Sequence, residues 1–369
     1  MLPSPLEAAA PNAEPRVWTD TRRLRVRGIG HALPGEPVST ADLLAHLDRR
    51  FGTHLAERGA LHADKLGVRT RHICRDFEAV REGPRAGDSN PELAARALRR
   101  ALDAAGLRVD DLSYLIGHTA TPALPIPSNI ALVADRLDFH GPHMELRQAC
   151  TGFASALVTA QGLLATPGCG PVAIVGSETG SVHLDPRRAE RDLGQLVNLV
   201  MMGDGAGAVV LERADEATEG PSLTNLFVGQ VGGGRAPGLQ RSEGGSARPF
   251  TDHAVLAFDH DYAGVRESGA ELFLRGAAVA HGLGLGPLDA DRVLPHQASG
   301  RLAAQFERRL GVPAERVFIH ADRVGNTGSA AIWLALSELS GDLAEGETVC
   351  VLGAEATKHL FAGFAYTHR

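Results

Sequence analysis

The chain predicts an α/β fold, and three observations carry that reading. Apolar runs bounded by Gly and Pro alternate with longer Ala- and Leu-rich segments, the pattern of strands followed by helices. The composition, 44% hydrophobic and 22% charged with only 5% aromatic residues, is that of an ordinary soluble α/β protein. The order of elements also repeats. Tyr114–His118 resembles Arg292–His296, Cys150 resembles Asn326, and Val172–Gly176 resembles Val349–Gly353, at separations of 178, 176 and 177 residues. Near-equal offsets in one order mark an internal duplication, and 369 residues leave room for two such halves around a substantial core.

Taken in order, residues 1–22 lack the basic and apolar regions of a secretory signal and read as a disordered or loosely docked extension. The first half, 23–212, opens on Arg23-Leu-Arg-Val-Arg-Gly28 and closes where Gly203-Asp-Gly-Ala-Gly207 turns into a strand over Val209–Leu211. Within it, Glu145-Leu-Arg-Gln-Ala-Cys-Thr-Gly-Phe153 changes abruptly from extended chain to a small-residue, apolar helix. The second half, 213–369, contains a Gly- and Ser-rich loop over 232–250 and a helix over Ser268–Gly282. A strand then ends at His296, a helix follows with Leu302, Phe306 and Leu310 at helical spacing, and an apolar run over Phe361–Tyr366 forms the last strand.

Charge and cysteine usage exclude several functions. Net charge is −7 and the only lysines are Lys65 and Lys358, which disfavours nucleic-acid binding. No stretch of about 18 apolar residues is present to span a bilayer. Cysteines 74, 150, 169 and 350 are scattered without a CxxC pair, so neither a disulfide framework nor a zinc ribbon is expected, and a cytoplasmic protein fits. No cofactor or metal is expected: His140 and His143 lack a matching second ligand pair. The Gly203–Gly207 run leads into a strand rather than a helix and reads as a tight turn, not a phosphate cradle, and no GxSxG elbow occurs.

A lone cysteine is more often a small buried hydrophobe than a catalyst. Cys150, however, stands at a helix start, where free backbone N–H groups carry partial positive charge and are expected to lower a thiol pKa. His296 follows a buried strand in Leu-Pro-His-Gln-Ala-Ser, and Asn326 lies in Val324-Gly-Asn-Thr-Gly-Ser-Ala-Ala331, where a helix cap is the plainer reading.

The segments around Cys150, His296 and Asn326, in this chain order, resemble the signatures of thiolase-fold condensing enzymes, most closely the β-ketoacyl-acyl-carrier-protein synthase III group. Leu66-Gly-Val-Arg-Thr-Arg-His-Ile73, Gly203–Gly207 and the spacing of 30 between His296 and Asn326 resemble that group too. The resemblance implies a thiolase-like fold, two pseudo-symmetric βαβαβ halves packed as a five-layer αβαβα sandwich. It implies Cys150 as the nucleophile that holds an acyl group. It implies His296 and Asn326 as donors to the enolate formed when a malonyl-type thioester loses carbon dioxide, and the Cys150 N–H as part of an oxyanion hole. Acyl carrier protein or coenzyme A thioesters are the implied partners, a homodimer the implied assembly, and Arg301 a carrier-docking residue; Arg308, on the same helical face as Arg301, and Arg309 read either as further contacts to a carrier or as a solvated face.

Three departures bear on substrate. Where coenzyme A users carry a stacking Trp and, four residues later, an Arg, this chain has Leu61 and Lys65, so adenine stacking is lost while Lys65 can still pair with phosphate. Leu124 stands where an aromatic residue closes the acyl pocket from the partner subunit. Gly353-Ala-Glu-Ala-Thr-Lys-His359 replaces a run of glycines that lines the oxyanion hole, putting Gly353, Ala354 and Glu355 in that loop. These point to a specialised relative in polyketide or other secondary metabolism rather than an initiator of fatty-acid synthesis. Two other functions fit the same residues: an acyltransferase that passes the acyl group from Cys150 to an alcohol, amine or carrier without condensation, and a non-catalytic partner subunit.

Overall fold

The computed structural model describes residues 15–215 and 217–369. Ten strands share one large sheet: β1 (Val17–Asp20), β2 (Leu24–Ala32), β3 (Tyr114–His118), β4 (His143–Leu146), β5 (Val172–Glu178), β6 (Gly205–Arg213), β7 (Ser222–Gln230), β8 (Arg292–Pro295), β9 (Thr348–Glu355) and β10 (Leu360–Thr367). Their order is β8-β9-β10-β7-β2-β6-β5-β3-β4, with β1 beside β7. Among the described residues nine longer helices surround and divide it: α1 (Thr40–Phe51), α2 (Ala56–Leu66), α3 (Asn90–Ala105), α4 (Asn129–Leu137), α5 (Gly152–Leu164), α6 (Leu193–Met201), α7 (Tyr262–Gly282), α8 (Leu302–Leu310) and α9 (Ala331–Leu339).

The duplication is visible in the pairing. Strands β3 and β5 run parallel, with Tyr114 opposite Val172, and β8 and β9 run parallel with Arg292 opposite Val349. In each half the next two ladders, β5-β6-β2 and β9-β10-β7, are antiparallel. Even the β3-β4 pairing has a counterpart, reduced to one parallel bridge between Val293 and Val317. The strands of the two halves pair edge to edge where Leu24 and Arg25 of β2 meet Leu223 and Ser222 of β7, and a single parallel bridge also joins Met202 to Asn326. Elsewhere each half-sheet turns its inner face to a shared layer of helices.

That layer is α5 and α9. Both are apolar nearly all round, as a helix buried on every side must be. Phe153, Leu157 and Leu164 of α5 and Ile332, Trp333 and Leu336 of α9 form one cluster with Ile174 and Val209 of the first half and Val351, Phe364 and Tyr366 of the second. Helices α3 and α4 cover the outer face of the first half, while α7 and α8 cover that of the second. The result is a five-layer αβαβα sandwich. Strand β5 is buried at every residue because helices lie on both its faces, whereas β2 alternates buried and half-buried.

The N-terminal extension is more ordered than its composition implies. Residues 17–20 form β1 and pair antiparallel with β7, Val17 opposite Gly229, so the segment docks on the sheet of the other half. The rest of that expectation, 1–14, lies outside the described residues. The helix expected over Ser268–Gly282 starts six residues earlier, where the Asp261 side chain accepts the Gly264 N–H at 3.1 Å and caps it. No helix among the described residues is long and apolar enough to cross a membrane.

Candidate active site

After β4 the chain turns through Arg147–Cys150, the Gly152 N–H donates to Ala149 O at 2.9 Å, and α5 begins. Cys150 is partly exposed and unpaired with any other cysteine. Its thiol does not follow the expectation of a lowered pKa. Burial and the nearby negative charges of Glu355 and Glu178 push it well above the ordinary cysteine value, and the local backbone offsets only part of that. The positive end of α5 is real, but it is already occupied. The Thr151 N–H donates to Glu355 Oε2 at 2.9 Å, and Thr151 Oγ1 donates to the same oxygen at 2.7 Å.

Glu355 is thus not part of a loop. Gly353, Ala354 and Glu355 are the last three residues of β9, and the connection to β10 is confined to 356–359, with His359 in the left-handed region at φ 55°. Glycine is needed at 353 because a Cβ there would sit 2.7 Å from the Phe153 ring. Glu355 is 2% exposed and also accepts a hydrogen bond from Thr357 Oγ1.

Glu178 ends β5 as Glu355 ends β9. Its Oε2 accepts the Ser329 N–H at 3.1 Å and Ser329 Oγ at 2.7 Å, just before α9, while Oε1 accepts Thr121 Oγ1. Each half therefore sends a buried carboxylate to the start of the central helix of the other. This pair of clamps was the site feature that sequence reasoning missed. The signal was present: extending the match of Val172–Gly176 with Val349–Gly353 by two residues pairs Glu178 with Glu355.

His296 follows β8 directly. Its N–H donates to Leu352 O at 2.7 Å, which ties it to the strand that carries Gly353 and Glu355. The ring is buried, Nδ1 has no hydrogen-bond partner, and burial with the neighbouring His320 lowers its pKa to about 4. It is a neutral imidazole at physiological pH, able to donate one hydrogen bond. Asn326 is held by three bonds: its N–H to Met201 O at 2.9 Å, its C=O from the Gly203 N–H at 3.0 Å, and its Oδ1 from the Gly328 N–H at 3.0 Å. With Oδ1 engaged, the amide Nδ2 is left as the outward donor. The side chain caps its own turn rather than the helix.

Hydrogen bonds of neighbouring residues connect the segments that carry these three. β9 links His296, through Leu352, to Thr151, through Glu355, and Ser329 links the Asn326 turn to Glu178 and, at 3.4 Å, to Gln148 O. Arg301 lies apart from them at the start of α8. It donates to the backbone and carboxylate of Asp64, at 3.0 and 3.3 Å, in a groove lined by Asp64, Gly67, Arg69, Gly300 and Asp322. Lys65 is exposed in the last turn of α2, and Leu61 on the same helix is 58% exposed. Arg308 and Arg309 are at the other end of α8. Leu124 is on the surface of the chain at 45% exposed, two residues from Ile126 at 84%.

Comparison with known proteins agrees with this architecture. Residues 144–228 match the family model of 3-oxoacyl-(acyl-carrier-protein) synthase III, and 281–358 match the model of its C-terminal part. The β-ketoacyl-(acyl-carrier-protein) synthase III of Cereibacter sphaeroides is 32% identical over 338 residues, covering 89% of this chain and 94% of that protein. Among solved structures, AbyA1, a tetronic acid condensing enzyme, is 30% identical with a TM-score of 0.79, covering 93% of this chain and 99% of its own. The synthase III of Pseudomonas aeruginosa is 28% identical with a TM-score of 0.74, covering 94% and 98%.

Proposed function

The chain belongs to the β-ketoacyl-(acyl-carrier-protein) synthase III family of condensing enzymes, and from that premise we propose which of its residues carry the reaction. Cys150 Sγ attacks the carbonyl of an acyl thioester; the C–S bond to the donor breaks, the donor thiol leaves with a proton, and an acyl-Cys150 forms. A malonyl-type thioester then loses carbon dioxide. The resulting enolate oxygen accepts hydrogen bonds from His296 and from Asn326 Nδ2, and the carbanion attacks the acyl carbon, expelling Cys150. The Cys150 N–H serves as oxyanion donor in both acyl transfers.

The observation that supports this most is the state of the two donors. His296 is buried and neutral, and Asn326 has its oxygen engaged and its NH2 free. Neutral, fixed donors suit an enolate better than a simple acyl transfer, which would need neither. The test is carbon dioxide release from malonyl-carrier protein. His296→Ala and Asn326→Ala should each lower it by about 10²–10³-fold while leaving acylation of Cys150 intact. Equal loss of both half-reactions would sink the assignment, and transfer of the acyl group to an alcohol or amine without carbon dioxide release would favour the acyltransferase reading.

On substrate, the exposed leucine at 61 removes the aromatic platform for adenine, so a carrier-bound donor is favoured, with Arg301 lining the groove where a phosphopantetheine phosphate would enter and Lys65 exposed on α2. We assign Leu124 to the acyl pocket completed by a second copy of the chain; its exposure and that of Ile126 support such a contact. The likeness to a tetronic acid condensing enzyme and the departure at 353–359 together favour a specialised role. A cytoplasmic setting suits the free cysteines.

A further inference from the structure

We propose that Glu355 is a positioning residue that governs the nucleophile: bonded to the amide that follows Cys150, it takes up the positive end of α5 and withholds it from the Cys150 thiol. The inference rests on the reading of Cys150 as the attacking thiol, and it assigns the control of that thiol to a residue on the opposite half of the molecule.

The geometry carries it. A helix start stabilises an anion through its free N–H groups, and a thiolate at 150 would be the natural occupant. Here the Thr151 N–H and Oγ1 are both directed at Glu355 Oε2, at 2.9 and 2.7 Å, and Gln148 Nε2 donates to Thr151 Oγ1 at 2.9 Å. The carboxylate is 2% exposed, so water screens it little. Two anions at one helix end repel, so a carboxylate bonded at the start of α5 disfavours a thiolate beside it.

The other ionisable groups around Cys150 do not reverse this. Glu178, from β5, also pushes the thiol up where it is ionised, while burial raises its own carboxyl above the usual glutamate range. His118, from β3, packs its ring on Gly152 with neither nitrogen hydrogen-bonded, and His296, from the end of β8, is likewise buried. Burial lowers the two histidines to about 3 and about 4, so neither supplies a cation to stabilise a thiolate at neutral pH. Among the described residues Arg147, three positions earlier, is exposed to solvent and therefore screened.

A clamp of purely structural value would look similar, since Glu178 makes the same bonds to Ser329. The two roles separate in the pH dependence of Cys150 alkylation. Iodoacetamide modification at Cys150, located by peptide mass spectrometry, should be measured from pH 6 to 10 for wild type and for Glu355→Gln. Glutamine can still accept the Thr151 N–H but carries no charge. The expected result is a midpoint moved to lower pH, with alkylation at pH 7 about tenfold faster. An unchanged or raised midpoint in a folded Glu355→Gln protein overturns the proposal. Glu178→Gln, measured beside it, should show a smaller shift of the same sign, and a larger one would transfer the role to Glu178. Wild-type protein that alkylates normally yet takes no acyl group from any donor would instead remove the nucleophile reading on which the inference rests.

Discussion

At the scale of single residues, the chemistry depends on who is charged. Cys150 was placed at a helix start by its neighbours Thr-Gly-Phe, and that much is legible from the sequence alone. Its reactivity was not, because the carboxylate that answers the helix lies 205 positions along the chain, in a stretch that reads as a glycine-loop replacement. His296 carries a direct pH prediction. With its folded pKa at about 4, the imidazole stays neutral through the physiological range. Malonyl decarboxylation should therefore show no loss assignable to His296 until pH falls towards about 4; a loss centred near 6.5 that disappears in His296→Gln would contradict that. Glu338 gives a stability prediction of the opposite kind. Burial pushes its pKa up, but hydrogen bonds from His320, at 2.7 Å, and Arg323, at 2.8 Å, hold it at about 2. A folded pKa below the unfolded one means the stabilisation is complete above the ordinary glutamate range and is lost as pH falls through it towards 2. Glu338→Gln should cost at most about 3 kcal/mol at pH 7, with the gap between mutant and wild type closing between about pH 4 and pH 2 in urea unfolding.

At the scale of elements, alternation of apolar strands with Ala- and Leu-rich helices was enough to read the order of the main elements. What it could not show was how close the elements come. Gly203-Asp-Gly-Ala-Gly207 reads as a turn, yet Gly205 and Gly207 belong to β6, and a Cβ on Gly207 would lie 2.4 Å from Leu334 N and 2.7 Å from Trp333 Cβ. The glycine exists so that α9 can lie directly on the strand. Gly207→Ala should destabilise the protein by about 1–3 kcal/mol, measured as a lowered Tm, while Gly52→Ala, where no atom lies within 4 Å, should be governed by backbone strain alone at φ 66°. Asp204, between Gly203 and Gly205, is fully buried and accepts from the Cys74 N–H at 2.7 Å, the Ser181 N–H at 3.0 Å and Ser181 Oγ, so its place in the motif is to tie the start of β6 to two neighbouring segments.

At the scale of the whole molecule, the duplication is what makes the site. Two half-sheets of matching topology present strand ends to one helical layer, and each closes on the other through a glutamate clamp. The offsets near 177 disclosed the repeat, but the crossing of Glu178 and Glu355 between halves needs three dimensions. It implies that the halves do not melt separately. Trp333, fully buried between them against Phe153 and Phe364 with ring centroids 6.1 and 5.8 Å away, should report loss of the interface. In a Trp18→Phe background its fluorescence change in guanidinium should coincide with the loss of helical circular dichroism; an earlier fluorescence transition would show halves that part before they unfold. The central claim, that this architecture exists to load an acyl group on Cys150 and extend it, has one most direct measurement. Intact-mass spectrometry of wild type and Cys150→Ala, exposed to a panel of acyl-carrier-protein and acyl coenzyme A donors and then to malonyl-carrier protein, should show an acyl adduct on wild type only. On addition of malonyl-carrier protein that adduct should disappear as carbon dioxide and a β-ketoacyl thioester form. An adduct that persists in Cys150→Ala, or its absence from wild type with every donor, would contradict the account.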